Sequence, residues 1–478
     1  MNKMWSGRFR EPLDETFEKW QRSFPFDQRL LPYEIAASRA HARALEHAGV
    51  LSAEELGEIL QGLEQIAEKA QAFAEFLHDD VAEDVHHFVE KRLVALIGET
   101  GYKLHSGRSR NEQIATDLRL YVRSSIDTLQ RLLGEWLDAL TTRAEEAGDA
   151  AMPAYTHLQR AEPVLVAHWL LAYVQMFLRD AERLADCRKR VNICPLGSGA
   201  VAGATLPLDR EAMATDLGFD APSPNSIDAT SDRDFVLEFV GVLSMVALHL
   251  SRWAEEMILF STQEYGFIEL PEAYSTGSSA MPQKKNPDLL ELVRGKAGRV
   301  LGNHTALVVA VKGLPLAYNK DMQETQEPLF EATTTVLSIL PLVTGWIKSV
   351  GLNYARMRAA TEGGFMNAWA AATYLVSRGV PSRLSHDHVG KAVRVCAERG
   401  CELRDLPLHE LRAIDPAFDQ DFYSCLRLKQ VLAIHDVIGG TASARVQQAL
   451  QQVRAQLAKL APEPLSSRRS EAASVQMG

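Results

Sequence analysis

Apolar residues recur every three or four positions over five long stretches, from about Thr116 to Ala147, Val164 to Val191, Asp232 to Gln263, Asp288 to Val311 and Pro328 to Val350, while alternating strand-like runs are scarce. Helices with such stripes bury them best against one another, so the sequence predicts an all-α protein with a central bundle of long helices. A shorter helix is equally legible upstream. Ser52-Ala53-Glu54-Glu55 is a capping box, and Leu56, Ile59, Leu60, Leu63, Ile66 and Ala70 follow on one face. The segment from Phe235 to Leu250 is apolar on most sides, which predicts burial beyond what one subunit offers and hence helices packed between subunits.

Glycines mark the ends of the bundle. A turn at Gly101 to Gly107 and a loop at Gly351 to Gly364 divide the chain into residues 1–107, 108–359 and 360–462, each expected to be mainly helical. Beyond Pro462 the apolar content is low, so 463–478 is expected to be a disordered tail. A length of 478 residues is enough for about three domains, and 46% hydrophobic with 24% charged content is ordinary for a globular enzyme that buries a large core. The net charge of −11, with no broad basic stripe, argues against a nucleic-acid partner. The most apolar runs, between Glu238 and Arg252 and between Glu331 and Lys348, fall short of the ~18 uncharged residues of a membrane span, and the second contains Pro341. Both are expected to be buried helices, with no membrane partner. Cys187, Cys194, Cys396, Cys401 and Cys425 are an odd number at spacings that match no disulfide framework or metal pattern, so reduced thiols are expected. No apolar signal core follows Met1, which points to the cytoplasm.

The chemistry concentrates in Gly277-Ser278-Ser279-Ala280-Met281-Pro282-Gln283-Lys284-Lys285-Asn286-Pro287. Gly277, Pro282 and Pro287 exclude regular structure there, while Asn286 suits an N-cap and Pro287 the first helical position. The following helix is expected to bury Leu289, Leu292, Val293, Val300 and Leu301, with Asp288 and Glu291 at the favourable end of its dipole. A serine hydroxyl becomes a base only when cations, dipoles or exclusion of water stabilise its alkoxide. Lys284, Lys285 and backbone N–H groups near Asn286 supply candidates, and the same cations attract a substrate carboxylate. Proton abstraction beside a carboxylate therefore fits better than hydrolysis. A solvated lysine turn is the bland alternative.

Other motifs weigh less. Gly197-Ser198-Gly199-Ala200-Val201-Ala202 matches a dinucleotide pattern but lacks a βαβ setting. Asp79, Asp80, Glu83, Asp84, His86 and His87 read as a turn of solvated acids leading into a helix at Phe88 more readily than as metal ligands. His157 has Thr156 and Gln159 as polar neighbours in a segment that Pro153 and Pro163 bracket as a loop. For Arg110 and Arg233 a surface ion pair competes with bidentate recognition of a carboxylate.

The 277–286 loop resembles the signature loop of the fumarase, aspartase and argininosuccinate lyase superfamily: two serines, then Met-Pro-x-Lys-x-Asn. Trp5-Ser6-Gly7-Arg8-Phe9, His105-Ser106-Gly107-Arg108-Ser109-Arg110-Asn111, Tyr155-Thr156-His157-Leu158-Gln159 and Leu316-Ala317-Tyr318-Asn319-Lys320-Asp321-Met322-Gln323 narrow the resemblance to the argininosuccinate lyases. It implies three helical domains whose long helices build the core of a homotetramer, with each site shared between subunits and a monomer nearly inactive. It also implies β-elimination of argininosuccinate to arginine and fumarate, with no metal or organic cofactor.

By the same resemblance, Ser278 is the base, and Lys284 and Asn286 stabilise the aci-carboxylate. His157 of the Thr156–Gln159 motif is paired with Glu291 and is a candidate to protonate the leaving nitrogen. Ser109, Arg110, Asn111 and Arg233 match substrate-contacting groups, Tyr318 and Gln323 match residues that position the succinyl part, and Ser23 and Asp27 fit N-terminal contacts. Asp84-Val85-His86 falls near the site. Two departures stand out: Gln326 where the family commonly has lysine, and Trp369-Ala370-Ala371-Ala372-Thr373 where it is usually more polar. The first leaves open a lyase acting on another N-substituted aspartate. A silent crystallin-like structural protein is a further alternative, against which Ser278, His157 and Lys284 argue.

Overall fold

The computed structural model describes residues 10–460. The Trp5–Phe9 motif and the 463–478 tail lie outside the described residues. In chain order the main helices begin with α1 (Leu31–His47), α2 (Ala53–Ala72) and α3 (Val85–Ile97). The first long helix, α4 (Arg110–Ala147), leads into a hairpin of β1 (Ala151–Thr156) and β2 (Gln159–Leu165), then α5 (Val166–Val191) and α6 (Asp234–Ser261). A minimal ladder of β3 (Thr276–Gly277) and β4 (Lys285–Asn286) precedes α7 (Asp288–Val311) and α8 (Gln326–Ser349). The C-terminal part holds α9 (Ala368–Ser377), α10 (Ser382–Arg399) and α11 (Ser443–Leu460). The fold is all-α, with two-residue or hairpin strands only among the described residues.

The helix limits follow the local chemistry. The capping box opens α2 as expected: Ser52 Oγ accepts the Glu55 N–H at 3.2 Å and Glu55 Oε2 accepts the Ser52 N–H at 3.0 Å. The helix α4 starts at Arg110 rather than Thr116, because its first turn is polar yet capped: the Ser109 N–H reaches Glu112 Oε1 at 3.0 Å. Pro328 sits inside the first turn of α8, where its missing N–H has no intrahelical partner to lose.

The chain divides into two compact units. One takes the chain up to Leu129, Glu182–Met245 and Gly298–Val336; the other takes Gln130–Ala181, Val246–Ala297 and everything from Leu337. Each helix from α4 to α8 gives residues to both. In the first unit α1, α2 and α3 pack around Leu45, Ile59, Leu63, Phe88 and Leu93, and Phe24 stacks on Phe88 with centroids 4.7 Å apart. In the second, the fully buried Trp136, Trp253 and Trp346 meet edge to face at 5.0 and 5.2 Å, and a further core gathers Leu375, Cys396, Phe418 and Phe422.

Three expectations change. The segment from Phe235 to Leu250 is covered almost entirely within one chain, Leu248 being the exposed exception, so it gives no reason of its own for packing between subunits. In α7 Val293 and Val300 are buried as expected, with Leu290, Ala297 and Leu307, whereas Leu292 and Leu301 are exposed with Val308 and Val309; the buried stripe is narrower than the run of apolar residues. Asp234–Ser261 and Lys320–Ser349 are long and apolar enough to cross a membrane by composition, but 61% of each apolar window is buried inside the protein, as in core helices. All five cysteines are free, as expected.

Candidate active site

A cavity of about 210 Å³ in the first unit gathers residues far apart in sequence. Ser23 and Asp27 come from the short helix before α1, Glu83 and Asp84 from the cap of α3, Arg110 and Asn111 from the first turn of α4, and Tyr318, Lys320, Gln323 and Gln326 from the approach to α8. Ser23 Oγ donates to Asp27 Oδ2 at 2.6 Å, while Asp27 Oδ1 is buried without a partner. Burial and the charge of Asp84 push the Asp27 carboxyl up to about 7. Arg110 Nη1 lies 3.3 Å from Glu83 and 3.1 Å from Asp84, so one end of the guanidinium is held in a half-buried ion pair on the cavity wall. Asn111 donates to Ala200 O at 3.1 Å, tying the 197–202 turn to the site. Gly199 in that turn has φ +60°, and a Cβ there would lie 2.6 Å from Gly203 O. Those glycines therefore serve a tight turn.

Arg233 is not on the surface. It is 1% exposed, donates to Asp232 O at 2.7 Å, and leaves Nε unpaired. Burial draws its guanidinium down to about 10, against the pull of Tyr318, and burial pushes the Tyr318 phenol up, against Arg233. Gln323 donates to Gln21 O at 3.1 Å, and Gln326 is buried with Oε1 unpartnered.

A buried ionic network backs the cavity. His86 Nδ1 lies 2.8 Å from Glu34 Oε2 and 3.8 Å from Asp117, and Arg108 lies 3.6 Å from Glu34. Burial pushes Glu34 up, but His86, Arg108 and the Ser38 hydroxyl outweigh it and hold Glu34 down at about 2. Burial and the Glu34 charge push Asp117 well above the usual range. Glu34, His86 and Asp117 could present three ligand atoms within 4.8 Å of one another, yet Arg108 already supplies the neutralising cation and Glu34 occupies Nδ1 of the ring. The trio is an ion network. The acids of 79–84 are correspondingly less solvated than expected: the Asp79 carboxylate is 4% exposed, binds Lys91 at 2.8 Å and accepts the Val81 and Ala82 N–H groups. The helix there starts at Val85, capped by Asp84.

The second unit carries the other sequence-predicted residues. The segment expected as a loop around His157 is a β-hairpin, with Pro153 paired to Pro163 and Thr156 to Gln159. Its two-residue turn is His157-Leu158, both left-handed at φ 55° and 58°. Such turns ordinarily take Asn or Gly, so this backbone is strained and holds the exposed imidazole at the tip. The 277–287 loop is not free of regular structure either, since Thr276–Gly277 pairs with Lys285–Asn286. Pro287, not Asn286, caps α7: its carbonyl accepts the N–H groups of Leu290 and Glu291, while the Asn286 amide donates to Gly277 O at 3.3 Å. At the loop tip Ser278 Oγ accepts the Met281 N–H at 3.1 Å and the Ala280 N–H at 3.3 Å. Two backbone donors on one hydroxyl oxygen favour negative charge there. Lys285 is tied to Leu270 O at 3.2 Å, whereas the Lys284 N–H donates to Met281 O at 3.0 Å and its ammonium, among the described residues, makes no hydrogen bond or ion pair. His157 and Glu291, both exposed, make no hydrogen bond or ion pair with each other among the described residues.

Residues 7–302 match the lyase family model and residues 365–433 the argininosuccinate lyase C-terminal model. The argininosuccinate lyase of Acidobacterium capsulatum is 59% identical over 94% of this chain and 93% of its own length. That of Koribacter versatilis is 58% identical over 95% and 97%. The chain belongs to the argininosuccinate lyase family. Among solved structures, EDDS lyase in complex with formate superposes with a TM-score of 0.83 at 27% identity, covering 97% of this chain and 92% of that one. A class II fumarase from Schistosoma mansoni, at 17% identity and TM-score 0.71 over 84% and 90%, shares the fold.

Within this argininosuccinate lyase family member, Glu34 and Asp117 join the site region without any expectation from sequence, and Lys320 joins it from the 316–323 motif without having been assigned a role. Glu34 and Ser38, four residues apart and polar on an otherwise apolar helix face, were the available signal for the first. Asp117 lies inside an apolar stripe and gave a similar hint.

Proposed function

We propose that the chain cleaves argininosuccinate to arginine and fumarate by β-elimination, Ser278 acting as the base. The observation that carries this reading is the hydroxyl of Ser278 with two backbone N–H donors on its oxygen, in a loop that also bears the unpaired ammonium of Lys284. The alkoxide removes a proton from the succinyl carbon that bears no nitrogen, giving an aci-carboxylate; its electron pair then forms the carbon–carbon double bond as the carbon–nitrogen bond breaks. Lys284, with Asn286 beside it, neutralises the doubly negative intermediate. His157, directly or through water, delivers the proton to the departing guanidinium nitrogen, and Glu291, Thr156 and Gln159 orient it.

The acid-rich cavity of the first unit suits the other end of the substrate. Glu83 and Asp84 on its lining are already met by Arg110, whereas Asp27 keeps an oxygen without a partner, so a cationic guanidinium at Asp27 is the natural occupant. Tyr318 and Gln323 stand among these acids, and we assign them to the arginine end rather than the succinyl end. Ser23, Ser109, Asn111 and Arg233 complete the contacts in our reading.

We further propose a homotetramer with sites completed between subunits, supported by the exposed Leu292, Leu301, Val308 and Val309 along α7. Cytoplasmic location and independence of any metal or organic cofactor belong to the same reading. So does the division of the sequence at about residues 107 and 359: each compact unit combines one outer part with stretches of the central part.

The test is to supply argininosuccinate and follow fumarate in the ultraviolet. Ser278→Ala is expected to lower kcat by about 10²–10⁴-fold, the usual span for a lost general base. Unchanged turnover in the variant removes Ser278 from the chemistry. A second reading, release of fumarate from a different N-substituted aspartate, is favoured by the neutral, buried and unpartnered amide of Gln326 where a cation is common. Fumarate from another aspartate adduct, with none from argininosuccinate, would select it.

A further inference from the structure

In the second unit a cavity of about 250 Å³ opens among the C-terminal helices, walled by Pro163, Leu426 and Val431. None of the candidate catalytic residues lines it. The exposed Arg358, Arg404 and Arg427 line it. Arg358 is only loosely paired, 3.9 Å from Glu362, and among the described residues Arg404 and Arg427 make no side-chain hydrogen bond or ion pair. Cations gathered in this way repel one another unless an anion joins them.

The remaining polar groups ask for something more than an anion. Asn367 donates its amide to Leu426 O at 3.4 Å, which leaves its Oδ1 buried with no donor. A buried acceptor left unpaired is costly, and a ligand N–H relieves it. Glu362 and Glu402 add two carboxylates to the same lining, Glu402 Oε1 already accepting the Gly364 N–H at 3.2 Å. A simple anion would satisfy Arg404 and Arg427 but leave Asn367 Oδ1 without a donor, and Glu362 and Glu402 keep acceptor capacity beyond Arg358 and the Gly364 N–H. A simple cation would meet three like charges. A zwitterion with a cationic arm satisfies all three sets: carboxylate to the arginines, ammonium N–H to Asn367 Oδ1, and the arm to Glu362 and Glu402. The volume lies just under the ~300–1,000 Å³ of drug-sized ligand sites, as a single amino acid requires.

We propose that this cavity is a second ligand site, for a free α-amino acid with a cationic side chain. Arginine is the probe of choice because it is a product of the reaction proposed above; the choice of ligand rests on that reading, and the chemistry of the cavity does not. The occupant would bridge the 361–367 turn, where Gly364 and Phe365 are left-handed at φ 81° and 58°, to Arg404 and Arg427.

Calorimetric titration of the full-length protein with L-arginine is expected to show two binding events per chain, one here and one as product at the candidate active site. Arg404→Glu with Arg427→Glu, both at exposed positions, should weaken one event by about tenfold or more and leave the other. The single variant Arg427→Gln should weaken the same event less. Agmatine, which is arginine without its carboxylate, should not compete for that event. Fumarate release measured without added arginine should match the native protein. Identical isotherms for native protein and double variant, or agmatine binding this cavity as tightly as arginine, would overturn the proposal. If argininosuccinate gives no fumarate but the variant-sensitive event persists, the functional reading fails and this one stands; fumarate release with no such event is the converse.

Discussion

Asp27 is the residue whose chemistry the fold alters most usefully. Its carboxyl is 1% exposed, and burial and Asp84 raise it to about 7 despite the Ser23 hydroxyl and the neighbouring His86. Below that pH the folded protein keeps the group protonated; above it the group is charged. A guanidinium in the cavity stabilises only the charged form, so binding at low pH must first remove a proton. KM for argininosuccinate should therefore fall as pH rises from about 6 to about 8, by up to about tenfold per unit below the folded pKa. Asp27→Asn should flatten that profile and raise KM at pH 8. A native KM that is flat with pH, or a variant that keeps the slope, would place the titration elsewhere. Ser23 and Asp27 were legible only through family resemblance, and their burial was not legible at all. The same holds for Arg110, whose ion-pair partners Glu83 and Asp84 come from a separate segment.

Elements were easier to read than sites because periodicity is local. The five long helices and the Ser52 cap could be placed from spacing alone, with α7 right at both ends. What failed was the extent of the buried stripe on α7 and turn geometry. The tip of the β1–β2 hairpin carries His157-Leu158 in place of the Asn-Gly that announces such a turn, and two prolines argued for a loop. Which helix face is buried also depends on neighbours, as Leu290 buried and Leu292 exposed illustrate. The packing of α4, α6 and α8 in the second unit is set by Trp136, Trp253 and Trp346, whose indole N–H groups have no hydrogen-bond acceptor and whose rings meet edge to face. Trp253 touches both of the others, so Trp253→Ala should destabilise the fold by about 3–5 kcal/mol through the cavity it leaves. Trp253→Phe should cost clearly less, since no polar bond is lost. Denaturant midpoints of the two variants distinguish these outcomes, and equal losses would mean that the ring stack is not what holds the helices.

At the scale of the whole molecule, the candidate residues fall into two sets. Ser23, Asp27, Ser109, Arg110, Asn111, Arg233, Tyr318 and Gln323 belong to the first compact unit, and Thr156, His157, Gln159, Ser278, Lys284, Asn286 and Glu291 to the second. The acids that suit a guanidinium are in one set, and the base and ammonium that suit a succinyl group are in the other. The proposed assembly adds that a complete site draws its sets from different chains, with the apolar face of α7 covered by another copy. Two defective proteins should then repair each other. Asp27→Asn chains have a first set that binds substrate poorly and Ser278→Ala chains a second set without its base; at pH 8 and argininosuccinate well below the Asp27→Asn KM, each alone should release little fumarate. Unfolded together and refolded at equal amounts, they should form some sites with both sets native. If a site takes the two sets from different chains that combine at random, about a quarter of the sites are repaired. Recovery of fumarate release toward that fraction supports shared sites. Were both sets supplied by one chain, no mixed assembly could contain an intact site, and the mixture would stay as inactive as its components.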